Sequence, residues 1–234
     1  MSQPIKPTEQ TKWMLLTMLV FMLIYLALML ACLRQWGAPT PWSRINFFSG
    51  TAIVLSLLLG AEQILFTFAL PKSGDTKREA FGITYDPGMA TWVTLLSVCE
   101  LVVFLDYGHL HLMPSLERGW LQGIGLGFYV IALVLLRWTD AWLARNFARS
   151  VEGRELMTDG PFRYLRHPRY AGLLISRIAF ALVFASILGW LLVLGWILAV
   201  HRRINLEEPH LQKIFGQDYE AYARRTSRFL PGIY

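Results

Sequence analysis

Long uncharged stretches alternate with short, densely charged ones along this 234-residue chain. Residues 13–33 contain no charge and are bracketed by Lys12 and Arg34. At ~1.5 Å per residue this run makes a ~31 Å helix, close to the ~30 Å hydrocarbon core of a bilayer. A signal peptide needs only about 7–15 apolar residues, so the run reads as a retained helix. Further apolar runs occupy 47–70, with Glu62 inside, 89–105, with Glu100 inside, and 119–142. Each is long enough to span a membrane. A polar, turn-rich loop at 71–87 separates the second run from the third.

The last apolar region, 171–200, is too long for one untilted span, since thirty helical residues extend ~45 Å. Arg163, Arg166 and Arg169 precede it, and Arg202 and Arg203 follow it. Basic flanks favour the cytoplasmic side. The region is therefore expected to fold as a helical hairpin turning near Ser186 to Gly189, with both ends cytoplasmic. Under that arrangement seventeen basic residues face the cytoplasm and three, Arg34, Arg44 and Arg118, face away. The fold class this predicts is all-α: a polytopic transmembrane helical bundle of about six spans. It includes the C-terminal hairpin, has both termini in the cytoplasm and ends in a cytoplasmic helix. In that tail, Leu211, Ile214, Phe215, Tyr219 and Tyr222 share one helical face, expected to lie against the bundle.

Composition agrees with the pattern. Charged residues make up 16% and hydrophobic residues 55%, against roughly 25% charged in a soluble domain. A soluble enzyme and a disordered chain are both disfavoured. The net charge of +6 follows the membrane orientation bias and does not point to nucleic acid. Cys32 and Cys99 lie in apolar runs and read as packing residues, with neither a disulfide framework nor a metal site implied.

Two segments hold the densest polar chemistry, Arg145 to Tyr170 and Arg202 to Arg228, and the hairpin brings them together. The first contains Leu156-Met-Thr-Asp-Gly160-Pro-Phe-Arg-Tyr-Leu-Arg166-His167-Pro168-Arg-Tyr170-Ala-Gly172. The second contains Arg203-Ile-Asn-Leu-Glu207-Glu208-Pro-His-Leu211, then Phe215-Gly216-Gln-Asp-Tyr219-Glu-Ala-Tyr222 and Arg228-Phe-Leu-Pro231. This combination resembles the signature of the isoprenylcysteine carboxyl methyltransferase family, over about residues 140–234. Any one motif alone is weak. The resemblance divides the chain into a four-helix N-terminal region, 1–142, with a possible acceptor pocket, and a catalytic region, 143–234.

The family's members are membrane enzymes that move a methyl group from S-adenosylmethionine to lipid-embedded acceptors. The resemblance implies that cofactor and a lipid-like or prenylated partner, with the carboxylate of an isoprenylcysteine as name-giving acceptor. It implies cofactor contacts from Arg154, Glu155, Leu156, Met157, Phe162, His167, Pro168, Arg169, Tyr170 and Glu207. The family often has Tyr where this chain has Phe162, so ring packing is kept there without a hydroxyl. Arg203 matches the substrate-side arginine, with Arg225 a second acceptor-binding candidate, and Arg166 and Glu208 are further candidates. No metal is implied. In-line methyl transfer needs the nucleophile about 3–3.5 Å from the methyl carbon. A carboxylate acceptor is already ionised, and an arginine such as Arg203 binds it in bidentate fashion. An amine or thiol acceptor, on a phospholipid or a small molecule, must lose a proton, and His167 is the natural acceptor of it.

Other signals compete. Gly123-Ile-Gly125-Leu-Gly127 resembles a nucleotide-binding loop, but no strand precedes it. Gly123 and Gly127 instead suggest a GxxxG packing face. Arg177 is expected to pair with Glu62 or Glu100 inside the bundle. Asp106, His109 and His111 are expected at the non-cytoplasmic interface. NADPH-dependent membrane sterol reductases share the His-Pro-x-Tyr-x-Gly motif and a Pro-containing end like Pro231-Gly-Ile-Tyr234. They usually carry Asn in place of Arg169 and lack the Glu207–Glu208 pair, which favours the methyltransferase.

Overall fold

Apolar periodicity becomes helix wherever the computed structural model describes the chain, which is over residues 9–34, 45–69, 95–96, 99–112, 118–151 and 155–229. Helix α1 covers Glu9–Leu33 and α2 covers Phe47–Ala69. Asn46 and Ser49 cap the start of α2 reciprocally: the Asn46 carboxamide oxygen accepts from the Ser49 N–H, and the Ser49 hydroxyl accepts from the Asn46 N–H, both at 3.0 Å. Helix α3 covers 99–105 and runs on into a π-helical turn, Asp106–Leu110. Helix α4 is Gly119–Val151, α5 is Pro168–Val183, α6 is Ile187–Phe215 and α7 is Gln217–Arg225. No strand occurs among the described residues, apart from an isolated bridge between Leu165 and Ser227.

Two of the described helices are long and apolar enough to cross a membrane, Gly119–Asn146 and Ile187–Phe215, with shorter apolar helices at Leu23–Leu33 and Phe47–Gly60. In α6 the apolar part ends at Val200, where His201, Arg202 and Arg203 follow. The 71–87 loop and the Pro231–Tyr234 end lie outside the described residues.

The hairpin is formed by α5 and α6, and its turn comes slightly earlier than the expected Ser186 to Gly189. Residues 184–186 make the connection, with Ala185 at a left-handed φ of 48°. Ser186 caps α6, its hydroxyl accepting from the Leu188 N–H at 3.2 Å. Gly189 is already inside α6 and serves packing: a Cβ there would lie 3.0 Å from the Ala181 Cα. At ~24 Å, the 16 residues of α5 are short for a span. The helix is accordingly enclosed by neighbours and buries Leu174, Ala179, Phe180, Leu182 and Val183. Phe104 of α3 meets Phe180 and Phe184 edge-on, with ring centroids 5.2 and 5.0 Å apart.

Two further expectations change. Gly123 is only in ordinary contact with Phe48 and Gly127 faces open space, so they are not the close-packing pair. The close approach is at Gly125, where a Cβ would sit 2.8 Å from that of Leu182 on α5. Asp106, expected at the non-cytoplasmic interface, is engaged inside the protein rather than solvated. It is buried, accepts a hydrogen bond from the Ser186 hydroxyl and accepts another from the Leu112 N–H at 3.0 Å. A buried carboxylate needs such donors, and here they tie the π-helical turn to the hairpin turn.

Arg177 of α5 pairs with Glu100 of α3, as one of the two expected alternatives, and the Glu62 side chain lies outside what the structure describes. The Tyr25 hydroxyl of α1 donates to the other Glu100 oxygen at 2.9 Å, and the Arg177 guanidinium lies 4.7 Å over the Trp196 ring of α6. Nearby, the hydroxyls of Ser56 on α2 and Tyr129 on α4 are 2.8 Å apart.

Candidate active site

The signature segment between α4 and α5 is shaped by two glycines. Gly160 has φ +59° and opens a 3-10 turn, Gly160–Arg163, directly over the Trp142 ring. A Cβ there would lie 2.5 Å from that ring, so both backbone and space require glycine. Gly172, in the first turns of α5, lies against Leu136 of α4, where a Cβ would come within 2.7 Å. Pro168 is buried as the first residue of α5, a place where a missing N–H costs nothing. The chain between these points is held extended by the C-terminal segment. Arg166 N–H donates to the Ser227 carbonyl at 2.8 Å, and His167 N–H donates to the Arg228 carbonyl at 2.9 Å.

The polar residues of the two motif segments converge. On α6, Arg203 and Glu207 stand one turn apart, and the Arg203 Nε donates to Glu207 Oε1 at 2.6 Å. The Tyr170 hydroxyl of α5 donates to the same oxygen at 2.8 Å. The other Glu207 oxygen faces His167 Nδ1 at 3.8 Å. The His167 ring is buried and stacks on Tyr170, 5.6 Å between centroids and 20° between planes. Its Nε2 lies 3.4 Å from Glu208 Oε1, too long for a strong hydrogen bond.

Glu208 also receives Arg166 Nη1 at 2.9 Å on that oxygen and Arg228 Nη2 at 2.8 Å on the other. Burial opposes ionisation of Glu208, but contact with His167 and the charges of Arg166 and Arg228 outweigh it. The carboxyl is held below the usual carboxylate range. Burial, followed by the Glu208 charge, pushes the Tyr219 phenol up to about 12, so it keeps its proton at neutral pH.

Two cavities flank this network. One, of about 150 Å³, is walled mainly by apolar and aromatic side chains, among them Leu156, Met157, Phe162, Phe215 and Tyr222, with Glu155 at its edge. The other, of about 270 Å³, is polar and lined by Asn205, Glu208, Gln212, Glu220 and Arg228 among others. Arg166 and Tyr219 belong to both walls. The Tyr222 hydroxyl fixes the turn by donating to the Phe162 carbonyl at 2.7 Å.

Of the residues expected from sequence, Arg166, His167, Tyr170, Arg203, Glu207 and Glu208 meet in one network. Glu155, Leu156, Met157 and Phe162 line the apolar cavity beside it. Arg169 turns elsewhere, to Asp140 of α4 at 3.2 Å. Arg225 is exposed and lies 6.0 Å over the Tyr222 ring. Arg154 lies outside the described residues. The tail face behaves differently from expectation: Leu211, Phe215, Tyr219 and Tyr222 wall the cavity, whereas Ile214 is exposed. The sequence did not reveal Leu143, which lines the apolar cavity, Trp142, which underlies Gly160, or Arg228. Helical spacing did single out the tail positions, but as packing residues rather than as a binding wall.

The residues present fit S-adenosylmethionine. An apolar, aromatic-walled cavity suits a flat base, and acidic oxygens suit an ammonium group and ribose hydroxyls. The chain matches the family model described as phospholipid methyltransferase over residues 120–218. It is 30% identical over 131 residues to a probable protein-S-isoprenylcysteine O-methyltransferase of Oryza sativa subsp. indica, covering 52% of this chain and 68% of that protein. It is 27% identical over 149 residues to protein-S-isoprenylcysteine O-methyltransferase B of Arabidopsis thaliana, covering 59% and 72%. It is 27% identical over 199 residues to the protein-S-isoprenylcysteine O-methyltransferase of Tribolium castaneum, covering 81% and 67%.

Proposed function

Because this chain belongs to the protein-S-isoprenylcysteine O-methyltransferase family and is thereby a methyltransferase, we propose that it methylates the carboxylate of a prenylated cysteine or a related lipid. The observation that carries this reading is the convergence of Tyr170, Arg203 and His167 on Glu207 beside an aromatic-walled cavity. S-adenosylmethionine, when bound, supplies a methyl group made electrophilic by its sulfonium. Leu156, Met157, Phe162, Phe215 and Tyr222 would hold its base, and Glu207 its ammonium or ribose hydroxyls.

This chain's residues then have separable tasks. Arg203 orients the acceptor carboxylate and Glu207 orients Arg203, since the two are already joined. Tyr170 fixes Glu207 from the opposite helix. The apolar wall excludes water, which strengthens each charge contact. A carboxylate acceptor leaves His167 with no proton to remove, so its task is to hold the two glutamates apart and in place. On an amine or thiol acceptor the same ring would take the proton.

The proposal includes six spans with both termini cytoplasmic, supported by the bias of basic residues. The site then opens to the cytoplasm, and the acceptor reaches it sideways from the bilayer. Isothermal titration of the purified protein with S-adenosylhomocysteine tests the donor assignment. Saturable binding is expected, and binding of NADPH in its place would sink the proposal. Incubation of prenylated cysteine with labelled S-adenosylmethionine tests the acceptor. Label recovered as a base-labile methyl ester is expected.

A further inference from the structure

Arg228 has no task in the reaction as described so far, yet it reaches both halves of the site. The segment 226–229 is anchored from below. Phe229 and Leu165 are both buried in the core, and the Thr226 hydroxyl donates to the Tyr222 carbonyl at 2.7 Å. On this anchor the Arg228 carbonyl accepts the His167 N–H at 2.9 Å, and the Arg228 guanidinium reaches Glu208 Oε2 at 2.8 Å. One residue therefore ties the backbone of the signature loop to the carboxylate of the opposite helix.

Charge makes the side-chain half of this tie specific. Glu208 Oε1 is already shared between Arg166 and His167, whereas Oε2 is met by Arg228. Removing the Arg228 guanidinium frees the carboxylate to turn toward Arg166 and His167 on its other side. It would then pull Arg166 and His167 off their present positions. Arg166 walls both cavities and His167 contacts Glu207, so the disturbance reaches the donor side through contacts already in place. His167 itself meets Tyr170 on α5 and Glu207 and Glu208 on α6, and through those glutamates it is linked to Arg203, Arg166 and Arg228.

We infer that Arg228 is a positioning residue: by holding Glu208 from outside the reacting groups, it sets the placement of His167 and Arg166 on which donor binding depends. The inference rests on the proposed donor site. Its two contacts are separable, because substitution of the side chain leaves the backbone bond to His167 intact.

The test is titration of S-adenosylhomocysteine against full-length wild type, Arg228→Ala, Arg228→Lys and Phe229→Ala, each followed also by thermal unfolding and by hydrogen exchange over 164–168. Arg228→Ala is expected to weaken binding about tenfold, the scale of one charge-assisted contact. Its unfolding temperature and the protection of the His167 amide should stay near wild type. Arg228→Lys should recover most of the affinity. Phe229→Ala, which removes the anchor, should lower unfolding temperature and protection together. Binding by Arg228→Ala at wild-type affinity overturns the inference while leaving the donor site standing. A loss that tracks unfolding temperature and is not recovered by lysine also overturns it. Absence of binding by the wild-type protein overturns both.

Discussion

Arginine meets glutamate in two places in this bundle, and the two are built to opposite plans. Between α3 and α5, Arg177 has Glu100, one charge of each sign, with Tyr25 and the Trp196 ring closing the sides. At the motif segments, Arg166, Arg203 and Arg228 gather around Glu207 and Glu208, with His167 between the glutamates. The first arrangement is self-contained and neutral, in apolar surroundings. Its geometry has no use for a visitor, and it fixes how α1, α3, α5 and α6 meet. The second carries more cations than anions and lies beside two cavities. It can exchange a partner for part of a ligand without stranding a charge. Similar residue types thus serve cohesion in one place and, under the proposed function, reception in the other, with enclosure and stoichiometry making the difference.

Removing one member of each arrangement should separate them. Glu100→Leu strands Arg177 in the bundle and is expected to cost about 3–5 kcal/mol of stability, the range for breaking a buried pair. Thermal unfolding in detergent reads this, and Glu100→Leu combined with Arg177→Leu should recover most of the loss. A single variant that unfolds with the wild type would erase the contrast. Glu207→Ala should do the reverse. S-adenosylhomocysteine binding is expected to weaken by roughly 10- to 100-fold, the equivalent of a charged hydrogen bond of ~1.5–3 kcal/mol. The unfolding temperature should change far less. Tyr170→Phe removes one hydroxyl donor from Glu207 and is expected to cost ~1 kcal/mol, or about fivefold in the same titration.

The smallest effect expected is on pH dependence. Glu208 has a folded pKa below its ordinary value of 4.5, so on acidification the unfolded chain takes up the proton first. The stabilisation it provides is complete above that value and is lost as pH falls through the lower folded pKa. Unfolding temperature should therefore decline below about pH 4.5, and Glu208→Gln should flatten the decline. An unchanged slope would remove Glu208 from the ionic account.

What the sequence made legible were features written in local order. The hairpin followed from one overlong apolar run between two sets of arginines. The meeting of Tyr170 and His167 with Arg203 and Glu207 followed from that hairpin. Features that depend on distant partners were hidden. Asp106 read only as an interfacial residue, because its donor, Ser186, lies eighty residues away. Gly125 was overshadowed by its neighbours because a three-glycine repeat does not say which side meets α5. The clip at 226–229 was hidden because two short extended segments bridged at one point leave no periodicity to detect. The tail showed its apolar face correctly but not whether that face met protein or a cavity.

Helix α6 runs without interruption from Ile187 to Phe215, through Pro209. It carries Trp196 in its apolar part and Glu207 beyond it, so no loop intervenes to absorb a change of spacing. Under the proposed function the helix is a yardstick from its apolar part to the polar cluster: seven residues from Val200 to Glu207 amount to about 10 Å. Adding one residue after Val200 would swing the carboxylates by about 100° and lift them ~1.5 Å, whereas adding seven would return them to nearly the same face ~10 Å farther out. Acceptors of different length must accordingly be accommodated by the helices around this rod, since the rod itself can change its reach only in whole turns.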